Sequence, residues 1–193
     1  MGDAFWMQTD NGLIIECVSG DITAQPDMDA VVNAANAELR TGGGVAGAIH
    51  RAAGPELDAE CRPLAPIRPG QAVITGAGRL PNKYVIHCLG PVYGVDSPSD
   101  QLLADCFRNA LLRAEEVQAR SVAFPAISTG AFGYPIQEAA EVSVATVAKE
   151  LPSCTHLRRL RFVLFSSSDL QVYSQAFRAE FQSYVQQRKG RTP

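Results

Sequence analysis

The chain has 193 residues, 46% hydrophobic and 19% charged, with 20 acidic against 17 basic side chains for a net charge of −3. That composition excludes a disordered or fibrous chain and supplies no basic surface for nucleic acid. A domain of this length buries roughly 70% of its unfolded surface and needs no disulfide or metal staple. The five cysteines are scattered, form no CxxC pair and have no histidine at zinc-ligand spacing. They are expected as buried thiols in a reducing cytoplasm, with no metal site and no cofactor. The N-terminus MGDAFWMQTD lacks the basic and apolar segments of a signal peptide. The longest uncharged stretch, residues 121–137, holds two prolines and two glycines, so no membrane span is expected.

In chain order, residues 4–9 and 13–19 read as strands around Asn11-Gly12, the favoured pair for a type I′ hairpin turn. Residues 30–34 (AVVNA) suit only a short buried strand. Residues 45–53 and 55–65 read as helices divided by Gly54-Pro55, where glycine stops one and proline starts the next. Residues 72–76 and 84–89 read as strands around the turn-rich GAGRLPNK. Residues 99–120 carry Leu102, Leu103, Cys106, Phe107, Ala110, Leu111 and Ala114 at helical spacing. Residues 121–125 are a strand, 135–151 a helix with proline in its first turn, and 159–165 (RLRFVLF) a strand. A last helix, residues 169–186, is expected to be capped near Ser168 or Asp169, and the tail RKGRTP to fray. A hairpin followed by alternating strands and helices predicts an α/β fold, a mixed central sheet sandwiched between helix layers. No repeat or linker divides the chain, so residues 1–193 read as one domain with a core of about 4–187, expected as a monomer.

Three segments follow strands, where ligands of open α/β sheets collect. Gly20-Asp21-Ile22-Thr23 offers the Asp21 carboxylate, which can accept from an exocyclic amine or simply close an Asx turn. NAANAELRTGGGVAGAIHRAAG, residues 33–54, ends a strand in two asparagines and opens a helix with three glycines. Backbone N–H groups converge there at a helix N-terminus, an anion site suited to phosphate or pyrophosphate. Gly42, Gly44 and Gly47 match GxGxxG, yet seven residues separate them from the strand and no strand ending in an acid follows, which argues against a nicotinamide-binding Rossmann unit. Ala48-Ile49 stands where a P-loop needs Lys-Ser/Thr. The third segment, Ser128-Thr129-Gly130-Ala131-Phe132-Gly133, is another glycine-punctuated loop entering a helix; Phe132 either covers a ligand or folds onto the core. His50 and His87 read as structural histidines, and His156 as solvated in a polar connection.

GDIT, VVNAANAELRTGGGVAGAIHRAAG, YVIHCLGP and VAFPAISTGAFGYP, in that order, resemble the macrodomain family, most of all its MacroD-like class. The likeness runs from about Leu13 to Phe181. It implies a cleft for ADP-ribose and, as partners, ADP-ribosylated protein or O-acetyl-ADP-ribose. It further implies that Asp21 binds the adenine amine beside the Ile22 backbone, and that Asn36 holds the distal ribose as the catalytic residue. Gly43, Gly44 and Val45 would line one side of the pyrophosphate, and Ser128, Thr129, Gly130, Ala131 and Phe132 the other. Phe132 would also pack on the distal ribose, and Phe165 would lie against adenine unless it is core. MacroD-like enzymes usually read GGGVDGAIH, with the Asp helping to activate water; here that position is Ala46. The resemblance therefore implies either a hydrolase or deacetylase whose water is held by the substrate's own phosphate, or a module that binds ADP-ribose without turnover.

Overall fold

The structure, a computed structural model, describes residues 4–189, with side chains through Phe181. Seven strands, β1 (Phe5–Gln8), β2 (Ile14–Ser19), β3 (Ala30–Ala34), β4 (Ala72–Gly76), β5 (Tyr84–Cys88), β6 (Ser121–Phe124) and β7 (Arg159–Leu164), form one sheet in the order β1-β2-β7-β6-β3-β5-β4. The five inner strands are parallel and the two edges antiparallel. The mixed α/β sheet expected from the sequence is therefore present, and its inner strands all end on one rim.

Alternation along the strands sorts side chains into two cores. Ala30 and Val32 of β3 join a core with α3 (Ser99–Glu116), α4 (Ile136–Glu150) and α5 (Ser167–Lys189). Val31 and Ala35 join a second with α1 (Gly44–Ala53) and α2 (Pro55–Cys61). Phe162 centres the first core, its ring 5.5 Å from Phe124, 5.3 Å from Tyr173 and 5.1 Å from Phe177. Cys17, Cys61, Cys88 and Cys106 are buried and Cys154 is half-buried; burial pushes the Cys61 thiol up to about 11 and Cys106 to about 12, so these thiols stay protonated.

Several boundaries differ from the sequence reading. The hairpin turn is not type I′, because only Gly12 has positive φ (+84°). Gly12 N–H donates to Thr9 O and Thr9 N–H to Leu13 O, both at 2.9 Å, which makes a three-residue loop closed by glycine. The helix at residues 55–65 ends at Cys61 and passes into a single 3₁₀ turn, Arg62–Leu64, at Pro63. α3 stops at Glu116 rather than 120: Gln118 takes φ +56° and Ala119 N–H reaches back to Ala114 O at 2.9 Å, a left-handed helix stop made without glycine. α5 begins at Ser167, and its cap is Ser166, whose hydroxyl accepts from Asp169 N–H at 3.1 Å. Of the tail expected to fray, residues 190–193 lie outside the described residues. His156 is not merely solvated, since its Nδ1 lies 3.0 Å from Glu115.

Candidate functional site at the strand tips

The loops leaving β2, β7, β6, β3 and β5 stand side by side along the rim in sheet order. Asp21 and Ile22 follow β2, Phe165 follows β7, residues 128–132 follow β6, Asn36 and residues 42–46 follow β3, and Gly90 follows β5. A cleft of about 240 Å³ opens in the middle, lined by Asn36, Gly43, Gly44, Val45, Ser128, Gly130, Ala131 and Phe132 of the expected set. Thr129 turns away, its hydroxyl donating to Ala126 O at 2.8 Å. Asp21, Ile22 and Phe165 lie outside this cleft, on the shoulder where β2 and β7 end together and Gly20 N–H donates to Leu164 O at 3.1 Å.

The cleft is furnished with main-chain donors. α1 has Gly43 at its N-cap position, no side-chain cap and no acid in its first turn. The N–H groups of Gly43, Gly44, Val45 and Ala46 donate to no group of the described residues. The same holds for Gly130, Ala131 and Phe132 across the cleft. Backbone donors rarely go unpaired, so two opposed sets at a helix N-terminus describe an anion site. Carbon atoms added at Gly43, Gly44 or Gly130 would meet no protein atom within 4 Å, so space is left open above the donors.

Only two lining residues carry a polar side chain. Asn36, half-buried, is held at both ends of its amide by the Arg40 backbone. Ser128, 6% exposed and at φ +67°, has its hydroxyl buried against Gly90 with no hydrogen-bond partner among the described residues. No lining residue is ionisable, and Ala46 carries no base. Phe132 is part-buried against the second core, as one reading expects, and also lines the cleft. Phe165 is not core: it is 96% exposed, a bare ring on the β2–β7 shoulder. Asp21 does close an Asx turn, Oδ1 accepting from Thr23 N–H at 2.8 Å and Thr23 Oγ1 at 2.7 Å, with its carboxylate exposed.

Gly90 was missed in the sequence. A side chain there would overlap Ser128 Oγ and stand 2.7 Å from Ile127 Cγ2, so glycine lets the floor of the cleft close. Its signal was the glycine between YVIHCL and Pro91, just past the end of a strand. Beneath the cleft, Asn33 Nδ2 donates to His87 Nδ1 at 3.1 Å, so His87 Nε2 carries the proton and donates to Thr75 Oγ1 at 2.9 Å. Thr75 passes its own proton to Gly76 O at 2.8 Å. Burial holds His87 neutral, down to about 3, and also lowers His50. His87 is the satisfied structural histidine expected; His50 is buried too, but its Nε2 has no partner.

A larger groove of about 430 Å³ opens at the opposite end of the sheet, between the hairpin tip and Leu151-Pro152. Among its polar side chains, Thr9 Oγ1 donates to Asn11 Oδ1 and accepts from Leu13 N–H at 3.1 Å, closing the hairpin loop. No helix among the described residues is long and apolar enough to cross a membrane.

Comparison with known proteins matches the Macro domain family to residues 32–143. An O-acetyl-ADP-ribose deacetylase of Klebsiella pneumoniae (strain 342) is 49% identical over 163 residues, covering 82% of this chain and 93% of the relative. A macro domain-containing protein of Chlorobaculum tepidum is 45% identical over 170 residues, covering 88% and 98%. Among solved structures, the Oceanobacillus iheyensis macrodomain with ADP superposes with a TM-score of 0.86 at 36% identity, covering 94% of this chain and 99% of that one. The Trypanosoma brucei macrodomain in complex with ADP-ribose gives 0.76 at 35% identity, covering 83% and 68%.

Proposed function

The chain belongs to the macrodomain family, and from that premise we propose that it binds ADP-ribose along the strand tips and deacetylates O-acetyl-ADP-ribose. The observation that carries this reading is the pair of unmet main-chain donor sets facing each other across the cleft, with the Asn36 amide at one end. The diphosphate lies between residues 43–46 and 130–132, taking the N–H groups of both loops. Adenine lies toward β2 and β7, its amine on Asp21 beside the Ile22 backbone and its face on the exposed Phe165 ring. The distal ribose meets Asn36 and Phe132.

A water attacks the acetyl carbonyl, the ester C–O bond breaks, and acetate and a ribose hydroxyl leave. Since no side chain in the cleft is ionisable, the proton taken from the water goes to a phosphate oxygen of the substrate and from there to the departing ribose oxygen, while the acid formed loses its own proton to solvent; the protein contributes position and main-chain electrostatics. The same geometry at the anomeric carbon would release a mono-ADP-ribosyl group from an acidic side chain. Acetate release from O-acetyl-ADP-ribose, and ADP-ribose release from a mono-ADP-ribosylated protein, test the two substrates side by side. Asn36→Ala should cut turnover far more than stability, since it removes hydrogen bonds in the cleft without opening the core. An unchanged rate would remove Asn36 from the mechanism.

Ala46 favours a second reading, a binder without turnover. No release from either substrate, with heat on ADP-ribose titration and activity created by Ala46→Asp, would decide for it.

A further inference from the structure

Asn36 is the cleft residue with the most constrained side chain, and the constraint comes from one buried residue. Its Nδ2 donates to Arg40 O at 2.8 Å and its Oδ1 accepts from Arg40 N–H at 3.0 Å. Turning the amide over would set N–H against N–H and oxygen against oxygen, so the pair fixes which end is which. Each end keeps spare capacity, one N–H on Nδ2 and one lone pair on Oδ1. An asparagine amide is otherwise loosely held, because its terminal torsion is broad. Clamped, it offers a hydroxyl one donor and one acceptor in fixed positions.

The clamp requires both the N–H and the C=O of Arg40 to face back toward Asn36. The chain turns that way at Leu39, whose N–H donates to Asn36 O at 3.1 Å and whose φ is +53°. A branched aliphatic residue rarely adopts that conformation. Leu39 is fully buried in the second core, and Ala37 O accepts from Ile67 N–H at 2.9 Å, so packing and a distant backbone bond hold the turn in place. Sparsely populated backbone conformations that the surroundings hold in place concentrate at ligand clamps.

We propose that Leu39 is a positioning residue: its core-anchored left-handed backbone aims the Asn36 amide, and so sets the preference of the cleft for a ligand carrying a distal ribose. This rests on the ADP-ribose reading above and adds to it a residue that never touches the ligand.

The test compares ADP-ribose with ADP, which lacks the distal ribose, by calorimetry below each variant's unfolding temperature. Leu39→Ile keeps the volume but is β-branched and opposes φ +53°. It should lower affinity for ADP-ribose about fivefold and leave affinity for ADP unchanged, and in an Asn36→Ala background it should have no further effect on the ratio. Leu39→Met, unbranched at Cβ, should keep the parental ratio. Should Leu39→Ile fail to fold, Leu39→Ala and Leu39→Gly remove the same packing yet differ in tolerance of positive φ. The ratio should then fall in the alanine variant and survive in the glycine one.

Equal loss toward both ligands, no loss toward either, or identical alanine and glycine variants would overturn the positioning role. The two readings fail differently. If Asn36→Ala leaves the ratio untouched, or the parent binds both ligands alike, the role given to Asn36 falls and this inference with it. If Asn36→Ala lowers the ratio while Leu39→Ile does not, only the inference falls.

Discussion

The rim of the sheet and the layer just under it treat the same residue types in opposite ways. At the rim, Gly44 and Gly130 have open space where a side chain would start, and the amides around them have no partner among the described residues. Under it, Gly90 is pressed against Ser128 and Ile127, and a side chain at Gly47 would overlap the Gly42 carbonyl. His87 lies in the same lower layer with both ring nitrogens bonded. Glycine in the lower layer is required by the protein's own packing. At the rim no neighbouring atom demands glycine, although the Gly44 backbone, at φ +53°, favours it; the open space above is room for a ligand.

Substitutions can break this contrast. The largest expected effect is at Gly90. Gly90→Val forces Ser128 and Ile127 aside; overpacking of this kind costs about 3 kcal/mol, a melting temperature lower by about 6–12 °C in a protein of this size. Ligand binding should fall with it, and an unaltered melting curve would show that Gly90 is not a packing glycine.

Gly44→Glu should do the reverse. The φ of +53° makes a non-glycine residue there cost about 1 kcal/mol, while a carboxylate set among the amides should abolish the heat of ADP-ribose binding through repulsion of the diphosphate. Retained affinity would contradict the anion site.

The most gradual effect is a pH slope. His87 is held at about 3 in the fold against an ordinary 6.5. Between those values the unfolded chain takes up a proton that the folded chain refuses. Its contribution is therefore whole above pH 6.5 and drains as pH falls toward 3, by at most about 1.4 kcal/mol per pH unit. His87→Gln should flatten that part of a stability–pH curve, and an unchanged slope would show that His87 titrates freely.

Much of this was legible in the chain. The glycine run opening α1 and the glycine loop before α4 follow from periodicity and turn chemistry, which marked both as anion-binding loops; the resemblance to the macrodomain family added Asn36 and Val45, and all but Thr129 of the residues expected in these two loops line the cleft. Apart from Gly90, what escaped depended on glycine-like backbone without glycine. Gln118 ends α3 and Leu39 turns the clamp at positive φ, yet neither residue type announces such a conformation. Phe165 was ambiguous because a strand's last aromatic faces core or solvent according to which neighbour ends beside it.

Local chemistry alone determined the element types, the two donor-rich loops and the absence of a base at position 46, because these depend on the residues themselves and their near neighbours. Tertiary structure alone decided that the loops face each other, that Gly90 closes the floor and that Phe165 stands bare. Those facts depend on strand order and on packing between residues far apart in the chain, which no local pattern encodes.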